Sequence, residues 1–115
     1  MSPVRYTIRP RIRVTRDDGT IAIGPGKADL LEAIGRTGSI RQSADELGMS
    51  YMRAWNLVRT MNAAFRGPLV ETERGGPAQG ASLTGRGVEV LRLYRRMESK
   101  AARAIEAEWD ELRKL

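Results

Sequence analysis

The chain has 115 residues, 41% of them hydrophobic, which suits a single domain with one core. It carries 20 Lys and Arg against 14 Asp and Glu, and the net charge of +6 favours an anionic partner, nucleic acid before a membrane surface. Because the sequence has neither Cys nor His, disulfides, Cys/His zinc sites and catalysis by His or Cys are excluded. We expect no enzyme activity and no cofactor. Without a signal peptide or a membrane-spanning apolar run, the expected location is cytoplasmic, associated with the nucleoid.

The first 24 residues predict strands. Residues 4–14 alternate between apolar and Arg or Thr positions, the period of a half-buried strand, and Pro10 places that strand at an edge or divides it. A turn signal at residues 17–20 precedes a short return strand, so a hairpin is expected at about 11–24. The arginine face of the first strand is either a phosphate-binding surface or a solvated edge that resists aggregation.

A helix is predicted over residues 27–36, followed at once by a second helix that Ser39 caps. Gln42 stands three positions after Ser39, which completes a capping-box pattern. Gly48 ends this second helix because glycine tolerates a positive φ. The expected buried face of the second helix consists of Ile40, Ala44 and Leu47.

Ser50 caps a third helix after a connection of only two residues. Two helices joined so briefly cross at a steep angle, which allows the second of them to enter the DNA major groove while the first braces it on the backbone. One face of the third helix is apolar: Ala54, Val58, Met61 and Phe65. At 100° per residue, the opposite face carries Met52, Arg53, Asn56 and Thr60, with Arg59 at its margin.

The polar face of the third helix is predicted to read DNA bases. Arginine matches O6 and N7 of guanine, and asparagine matches N6 and N7 of adenine. Tyr51 turns toward the core side by its helical phase, so we expect its hydroxyl to reach a phosphate. An ordinary helical hairpin with a solvated polar face is the alternative. The candidate DNA-binding residues on the second and third helices are Arg41, Gln42, Ser50, Tyr51, Met52, Arg53, Asn56, Arg59 and Thr60.

A second hairpin is predicted after the third helix, with strands at 69–73 and 81–83 around a glycine-rich tip at 74–80. The tip lacks the Gly-Lys-Ser/Thr ending of a nucleotide-binding P-loop and lies between strands, so nucleotide binding is not expected. We predict a wing that rests on DNA phosphates, with a plain flexible loop as the alternative. The candidate contacts in the wing are Arg74, Gly75 and Gly76.

Thr84 caps a predicted helix of about 30 residues, or ~45 Å, that continues to the C-terminus. This is longer than a small domain needs to cover its core. Its aromatic and aliphatic stripe could pack against the core, lie on a membrane surface or form a two-fold dimer interface. The acidic second half of the helix argues against binding to anionic lipid, and the length of the helix favours a dimer. Arg86 at its start is a further DNA-binding candidate. The residues expected at the dimer interface are Leu91, Tyr94, Ile105, Trp109 and Leu112.

Three stretches together resemble the N-terminal DNA-binding domain of the ModE-type molybdate-responsive transcriptional regulators. They are residues 38–44 with 47–51; Ala54-Trp55 with Met61-Asn62; and residues 68–71 with Gly75-Gly76, Leu83-Thr84 and Gly87. The helix-turn-helix of LysR-type regulators is similar in a looser way. The resemblance covers about residues 24–100.

The resemblance implies a winged helix-turn-helix homodimer on double-stranded DNA, which represses or activates genes for molybdate uptake and molybdoenzymes. Residues 39–47 would be the bracing helix and 50–65 the recognition helix, and the helix after Thr84 would form the dimer. Regulators of this family also carry C-terminal oxyanion-binding domains, whereas this chain ends after its last helix. We therefore expect no molybdate-binding domain in it, and the small-molecule effector stays open.

The sequence as a whole predicts a mainly α fold with small β hairpins, a single winged helix-turn-helix domain over residues 1–115. The expected parts are N-terminal strands at 1–24, the helix-turn-helix with its wing at 25–84 and a dimer helix at 85–115. The expected function is sequence-specific DNA binding in transcription regulation, without an oxyanion-sensing domain. The alternative is a protein-interaction module that uses the long C-terminal helix and whose basic face is incidental.

Overall fold

The computed structural model describes residues 3–73 and 80–115. Within these ranges the chain is mainly helical, with small antiparallel hairpins, in a layout like that of a winged helix-turn-helix, and the predicted fold class is confirmed. The elements are β1 (Val14–Thr15), β2 (Ile21–Ile23), α1 (Pro25–Thr37), α2 (Ile40–Glu46), α3 (Tyr51–Ala64), β3 (Val70–Thr72), β4 (Ala81–Leu83), α4 (Gly85–Ala104) and α5 (Glu106–Leu112). Strands β1 and β2 form one hairpin, and β3 and β4 form the other.

The N-terminal segment differs from the predicted strand. The hairpin is present, but only Val14 and Thr15 pair with β2, and residues 3–13 form no strand. Apolar residues from Ile8 to Ile12 still alternate in burial with the arginines between them. The reason is that this segment lies along α4, where the carbonyl of Ile12 accepts a hydrogen bond from the Tyr94 hydroxyl at 2.7 Å. The alternation therefore arises because an extended segment, residues 3–13, packs against a helix rather than in a sheet. The prediction of one strand over 4–14 is wrong.

Helix α1 lies at the centre of the core, in contact with α2, α3, α4 and β4. Pro25 stands at its first turn, where the fixed φ suits a helix start, and Gly38 ends it with a φ of 71°. Lys27 is also buried, and its Nζ donates to the carbonyl of Ile21. Burial lowers the pKa of Lys27. The buried apolar residues of α1 are Ala28, Leu30, Leu31, Ala33 and Ile34.

The predicted caps of α2 and α3 are confirmed. The Ser39 hydroxyl oxygen accepts from the N–H of Gln42, and that of Ser50 accepts from the N–H of Arg53, both at 3.1 Å. The return half of the capping box is wrong, because the N–H of Ser39 donates to the Thr37 hydroxyl at 3.2 Å.

The expected buried face of α2 is confirmed at two of its three positions. Ile40 and Ala44 are buried, but Leu47 is 37% exposed. The reason is that α2 ends at Glu46, so Leu47 lies in the turn outside the helical phase. Met49, in the same turn, packs against the core instead.

The predicted 30-residue helix is interrupted. Ile105, with φ −108° and ψ 8°, separates α4 from α5, so the prediction of one continuous helix is wrong. After the break, the Trp109 ring contacts the Tyr6 ring edge-to-face, with 5.1 Å between the ring centres. Glu106 and Glu108 then lie in the first turn of a new helix, where negative charge is favourable. None of the helices in residues 3–73 and 80–115 is long and apolar enough to cross a membrane.

Candidate nucleic-acid interface

The connection between α2 and α3 is a tight, internally bonded turn. Gly48 adopts a φ of 67°, a conformation that L side chains disfavour, and the N–H of Met49 donates to the carbonyl of Ala44 at 3.0 Å. Behind the turn, the buried Ser43 hydroxyl donates to the carbonyl of Ser39 at 2.7 Å. The bond from Met49 closes the turn between α2 and α3, whereas the bond from Ser43 lies within the first turn of α2.

Helix α3 has the two faces that its sequence predicts. Ala54, Val58 and Met61 are buried, and Phe65 is half-buried where the helix ends. Met52 is 72% exposed. The remaining candidates for base contact are also exposed: Arg53, Asn56, Arg59 and Thr60. The structure thus brings these five side chains together on one solvent-facing surface.

Two hydrogen bonds on this surface orient its polar groups. Arg59 Nη2 donates to Asn56 Oδ1 at 2.7 Å, and the Thr60 hydroxyl donates to the carbonyl of Leu57 at 3.0 Å. Because an amide oxygen has two lone pairs and an amide nitrogen carries two donors, the exposed Asn56 can accept one further bond at Oδ1 and donate through Nδ2. Asn56 is therefore held in an orientation that leaves both a donor and an acceptor available.

The start of α3 is tied to α2 through an aromatic contact. The guanidinium carbon of Arg41 lies 4.3 Å from the centre of the Tyr51 ring, within the range of a cation–π interaction. Tyr51 in turn meets Trp55 edge-to-face at 6.2 Å. Gln42 and Ser50 are exposed beside them. That Tyr51 contacts a phosphate stays a prediction.

Strands β3 and β4 form the base of the wing, with Val70 opposite Leu83 and Thr72 opposite Ala81. Asn62, which the sequence reasoning did not select, anchors this base to α3. Its Oδ1 accepts from the N–H of Leu69 at 2.8 Å. The available signal was an asparagine at the margin of the apolar face, five residues before Gly67-Pro68. The predicted wing contacts Arg74, Gly75 and Gly76 lie outside the described residues.

Arg86 is exposed at the first turn of α4, and its side chain crosses Gly67, where an added Cβ would lie 3.1 Å from Arg86 Nε. It lines a groove between the end of α3, the first turns of α4 and the β1–β2 hairpin. We call this groove, whose lining includes Arg16, Arg66 and Arg86 together with Phe65 and Glu89, the arginine groove. Arg86 therefore belongs to a second basic surface, separate from the outward face of α3.

Two arginines in the middle of α4, Arg92 and Arg95, form ion pairs with carboxylates. Arg92 pairs with Glu89, and Arg95 pairs with Asp29 at 2.9 Å and with Glu98 at 3.0 Å. Burial opposes the charge of Arg95, but hydrogen bonds to Asp29 and Glu98 outweigh it and raise its pKa. Arg41 and Arg53, by contrast, have no carboxylate within ion-pair distance in the described part of the chain.

Some of the residues expected at a dimer interface pack within their own chain, and others are exposed to solvent. Tyr94 is only 2% exposed and belongs to the core of its own chain, so its placement at an interface is wrong. Leu91 packs against the same core, and Trp109 is half-covered by Tyr6. Ile105 and Leu112 are exposed by 47% and 60%. The side of α4 with the helical phase of Tyr94 is thus used internally, which the length of the helix alone could not reveal.

Acidic residues do not gather into a metal site in the described ranges: no group of three or more Asp or Glu side chains there could hold a metal ion. No protein-family model matches the chain.

Individual relatives do match. The chain is 40% identical over 84 residues to the molybdenum-pterin-binding protein MopB of Rhodobacter capsulatus, covering 72% of this chain and 31% of MopB. It is 36% identical over 97 residues to the molybdenum transport protein ModE of Azotobacter vinelandii, covering 84% and 36%. It is 39% identical over 71 residues to the DNA-binding transcriptional dual regulator ModE of Escherichia coli K12, covering 61% and 27%. The chain thus spans about a third of the length of these relatives. These identities support a relation between this chain and the ModE-type proteins.

Proposed function

We propose that this protein is a sequence-specific regulator of transcription that binds double-stranded DNA. The observation that carries the proposal is the two-sided α3. Its inner face is buried through Ala54, Val58 and Met61, while its outer face presents Arg53 and Asn56 to solvent. These are the side-chain types that recognise guanine and adenine in the major groove.

The surroundings of α3 support the same function. A net charge of +6 attracts a polyanion, and Arg41 of α2 packs on the ring of Tyr51 at the start of α3. One of the relatives is named a DNA-binding transcriptional dual regulator. An enzyme is not proposed, since the names of the relatives describe regulation, transport and molybdenum-pterin binding.

Each candidate has a proposed role. Arg53, Asn56 and Thr60 contact base edges, while Met52 and Arg59 flank them. Side chains around the start of α3 contact the phosphate backbone, and so do the wing tip and the first turn of α4. These phosphate contacts are Arg41, Gln42, Ser50, Tyr51, Arg74, Gly75, Gly76 and Arg86. Phosphate contacts set register and affinity, and base contacts set sequence preference.

The biological setting follows from the relatives. Their names refer to molybdenum transport and molybdenum-pterin binding. We propose that the DNA sites of this protein lie beside genes for molybdenum uptake or use, and that it acts as a homodimer in the cytoplasm.

The test is selection of bound sequences from a random double-stranded DNA pool with the full chain. We expect one enriched motif with two-fold symmetry. The double variant Arg53→Ala/Asn56→Ala should lose the motif while keeping salt-sensitive, sequence-independent binding. Enrichment of the same motif by that variant would remove α3 as the reading helix. If the wild-type chain enriches no motif and binds no fragment below about micromolar concentration, the alternative of a protein-interaction module is favoured.

A further inference from the structure

Asn56 and Arg59 form a hydrogen-bonded pair on the outward face of α3. They stand three positions apart, where helical side chains are neighbours, and Arg59 Nη2 donates to Asn56 Oδ1 at 2.7 Å. Both side chains are exposed, and within residues 3–73 and 80–115 Arg59 forms no ion pair with a carboxylate. The bond therefore joins two side chains that do not contribute to the core.

The bond determines which way the Asn56 amide faces. A guanidinium group carries donors only, so it can bond the amide oxygen and not the amide nitrogen. The distance of 2.7 Å is typical of a hydrogen bond with a charged donor, which is stronger than a bond between neutral groups. Turning the amide over would place Nδ2 against the guanidinium and lose this bond. Arg59 thus favours one of the two amide orientations.

An amide held in this way offers DNA one acceptor and one donor together. In the major groove, adenine presents an acceptor at N7 and a donor at N6, whereas guanine presents two acceptors and cytosine one donor. Thymine presents an acceptor and a methyl group. Adenine is therefore the base that satisfies both groups of Asn56 at once. An amide that rotates freely selects adenine less well, because ordering it on DNA costs conformational entropy.

The other polar groups of this face do not compete for the Asn56 amide. The Thr60 hydroxyl donates to the carbonyl of Leu57 at 3.0 Å, so its proton is already used within the helix. Arg53 stands three residues before Asn56, as Arg59 stands three residues after it, and is equally exposed. In the described part of the chain, the guanidinium that bonds the amide is that of Arg59. The two arginines therefore form a matched pair for comparison.

We propose that Arg59 is a positioning residue for base recognition: it fixes the Asn56 amide so that this side chain selects adenine at one base pair of the DNA motif. The proposal rests on the proposed DNA-binding function and deepens it by naming a base and the residue on which its selection depends. Arg59 acts on this base pair through Asn56 rather than through a contact of its own. Selection of adenine therefore requires Arg59 and does not require Arg53.

The test is a double-mutant cycle on DNA binding by the full chain. Selection from a random pool identifies the adenine as the base whose preference Asn56→Ala removes, and fluorescence anisotropy then compares the selected DNA with DNA that carries guanine there. Wild type should prefer adenine by about tenfold or more. Arg59→Ala should reduce this preference by about fivefold and should not reduce it further in the Asn56→Ala background. Arg53→Ala, the control, should weaken binding to both DNAs alike.

A second variant, Asn56→Asp, is expected to change the preferred base. It keeps a side-chain oxygen that can accept from Arg59, but it has no donor for N7 of adenine. The N4 amino group of cytosine donates to a carboxylate, so the preference at this position should change from adenine to cytosine. Retention of the adenine preference by Asn56→Asp would show that the amide donor is not used, and the proposal would be overturned.

The outcomes separate this proposal from the proposed function. If wild type selects a motif but Arg59→Ala leaves the adenine preference unchanged, or Arg53→Ala reduces it equally, the positioning role of Arg59 is refuted and the DNA-binding function stands. A reduction by Arg59→Ala that persists in full in the Asn56→Ala background shows that Arg59 acts independently of Asn56 and likewise refutes the role. A wild-type chain that enriches no motif overturns both proposals.

Discussion

Asn62 and Val70 are joined by two hydrogen bonds. Asn62 Nδ2 donates to the carbonyl of Val70, and Asn62 Oδ1 accepts from the N–H of Val70, each at 3.1 Å. The same oxygen accepts from the N–H of Leu69. The side chain of Asn62 thus provides backbone hydrogen bonds of the kind that a neighbouring strand would provide at the start of β3. We expect the orientation of strands β3 and β4 relative to α3 to depend on this amide.

Asn62→Ala is expected to destabilise the fold by about 2–3 kcal/mol, because the backbone groups of Leu69 and Val70 lose their partner while both residues stay buried. Urea denaturation followed by circular dichroism measures the loss. Asn56→Ala, on the exposed face of the same helix, is the control and should change stability by less than about 0.5 kcal/mol. Equal losses would show that the amide of Asn62 does not hold the wing.

Gly87→Ala should be strongly destabilising. A Cβ at this position would collide with the carbonyl oxygen of Leu69, a backbone atom that also accepts from the N–H of Thr84 at 2.9 Å. We expect a loss of about 2 kcal/mol or more, measured as a lower Tm. Gly85→Ala is the matched control two residues earlier, where a Cβ meets nothing within 4 Å. It should be neutral or stabilise by up to about 1 kcal/mol, and a similar loss there would contradict the explanation.

Arg53→Ala and Asn56→Ala are each expected to weaken binding to the selected DNA motif by about 1–3 kcal/mol and to relax the preference at one base position. Fluorescence anisotropy with the motif and with single-base variants measures both effects. Arg103→Ala removes the same charge from an exposed position on α4 and is the control. If Arg103→Ala weakens binding as much as Arg53→Ala, the effect is general charge loss and base reading by Arg53 is refuted.

Tyr94 is expected to make the free energy of unfolding fall as the pH rises into the alkaline range. Burial, followed by the charge of Glu98, raises the pKa of Tyr94 above its ordinary value of 10.0. The folded state then keeps its proton when the unfolded state releases it, so this contribution is complete below the unfolded pKa and is lost as pH rises through the folded pKa.

Tyr94→Phe should therefore cost about 1 kcal/mol at pH 7, through loss of the bond to Ile12, and the difference from wild type should shrink above pH 10. Denaturation at pH 7 to 11 measures it. A difference that stays constant over this range would contradict the assignment.

Much of the helical framework could be predicted from the sequence because its signals are local. Ser39, Ser50 and Thr84 each accept from an N–H three residues ahead, so the capping side chain and its partner are neighbours in the chain. The division of α3 into a buried and an exposed face follows from its period of 3.6 residues alone. The same periodicity placed Arg53 and Asn56 together on the candidate reading surface.

The tertiary structure decided what depends on distant residues. An alternating segment looks the same whether it packs on a strand or on a helix, and Tyr94 lies 82 positions from the carbonyl that it bonds. The break at Ile105 accompanies a contact between Trp109 and the distant Tyr6. The sequence by itself determined the capped helices and their faces, because caps and helix faces both depend on residues only three or four positions apart. Only packing between remote segments decided that the extended N-terminal segment lies on α4 and that Tyr94 belongs to the core while Val88, Leu93 and Met97 of the same helix stay exposed.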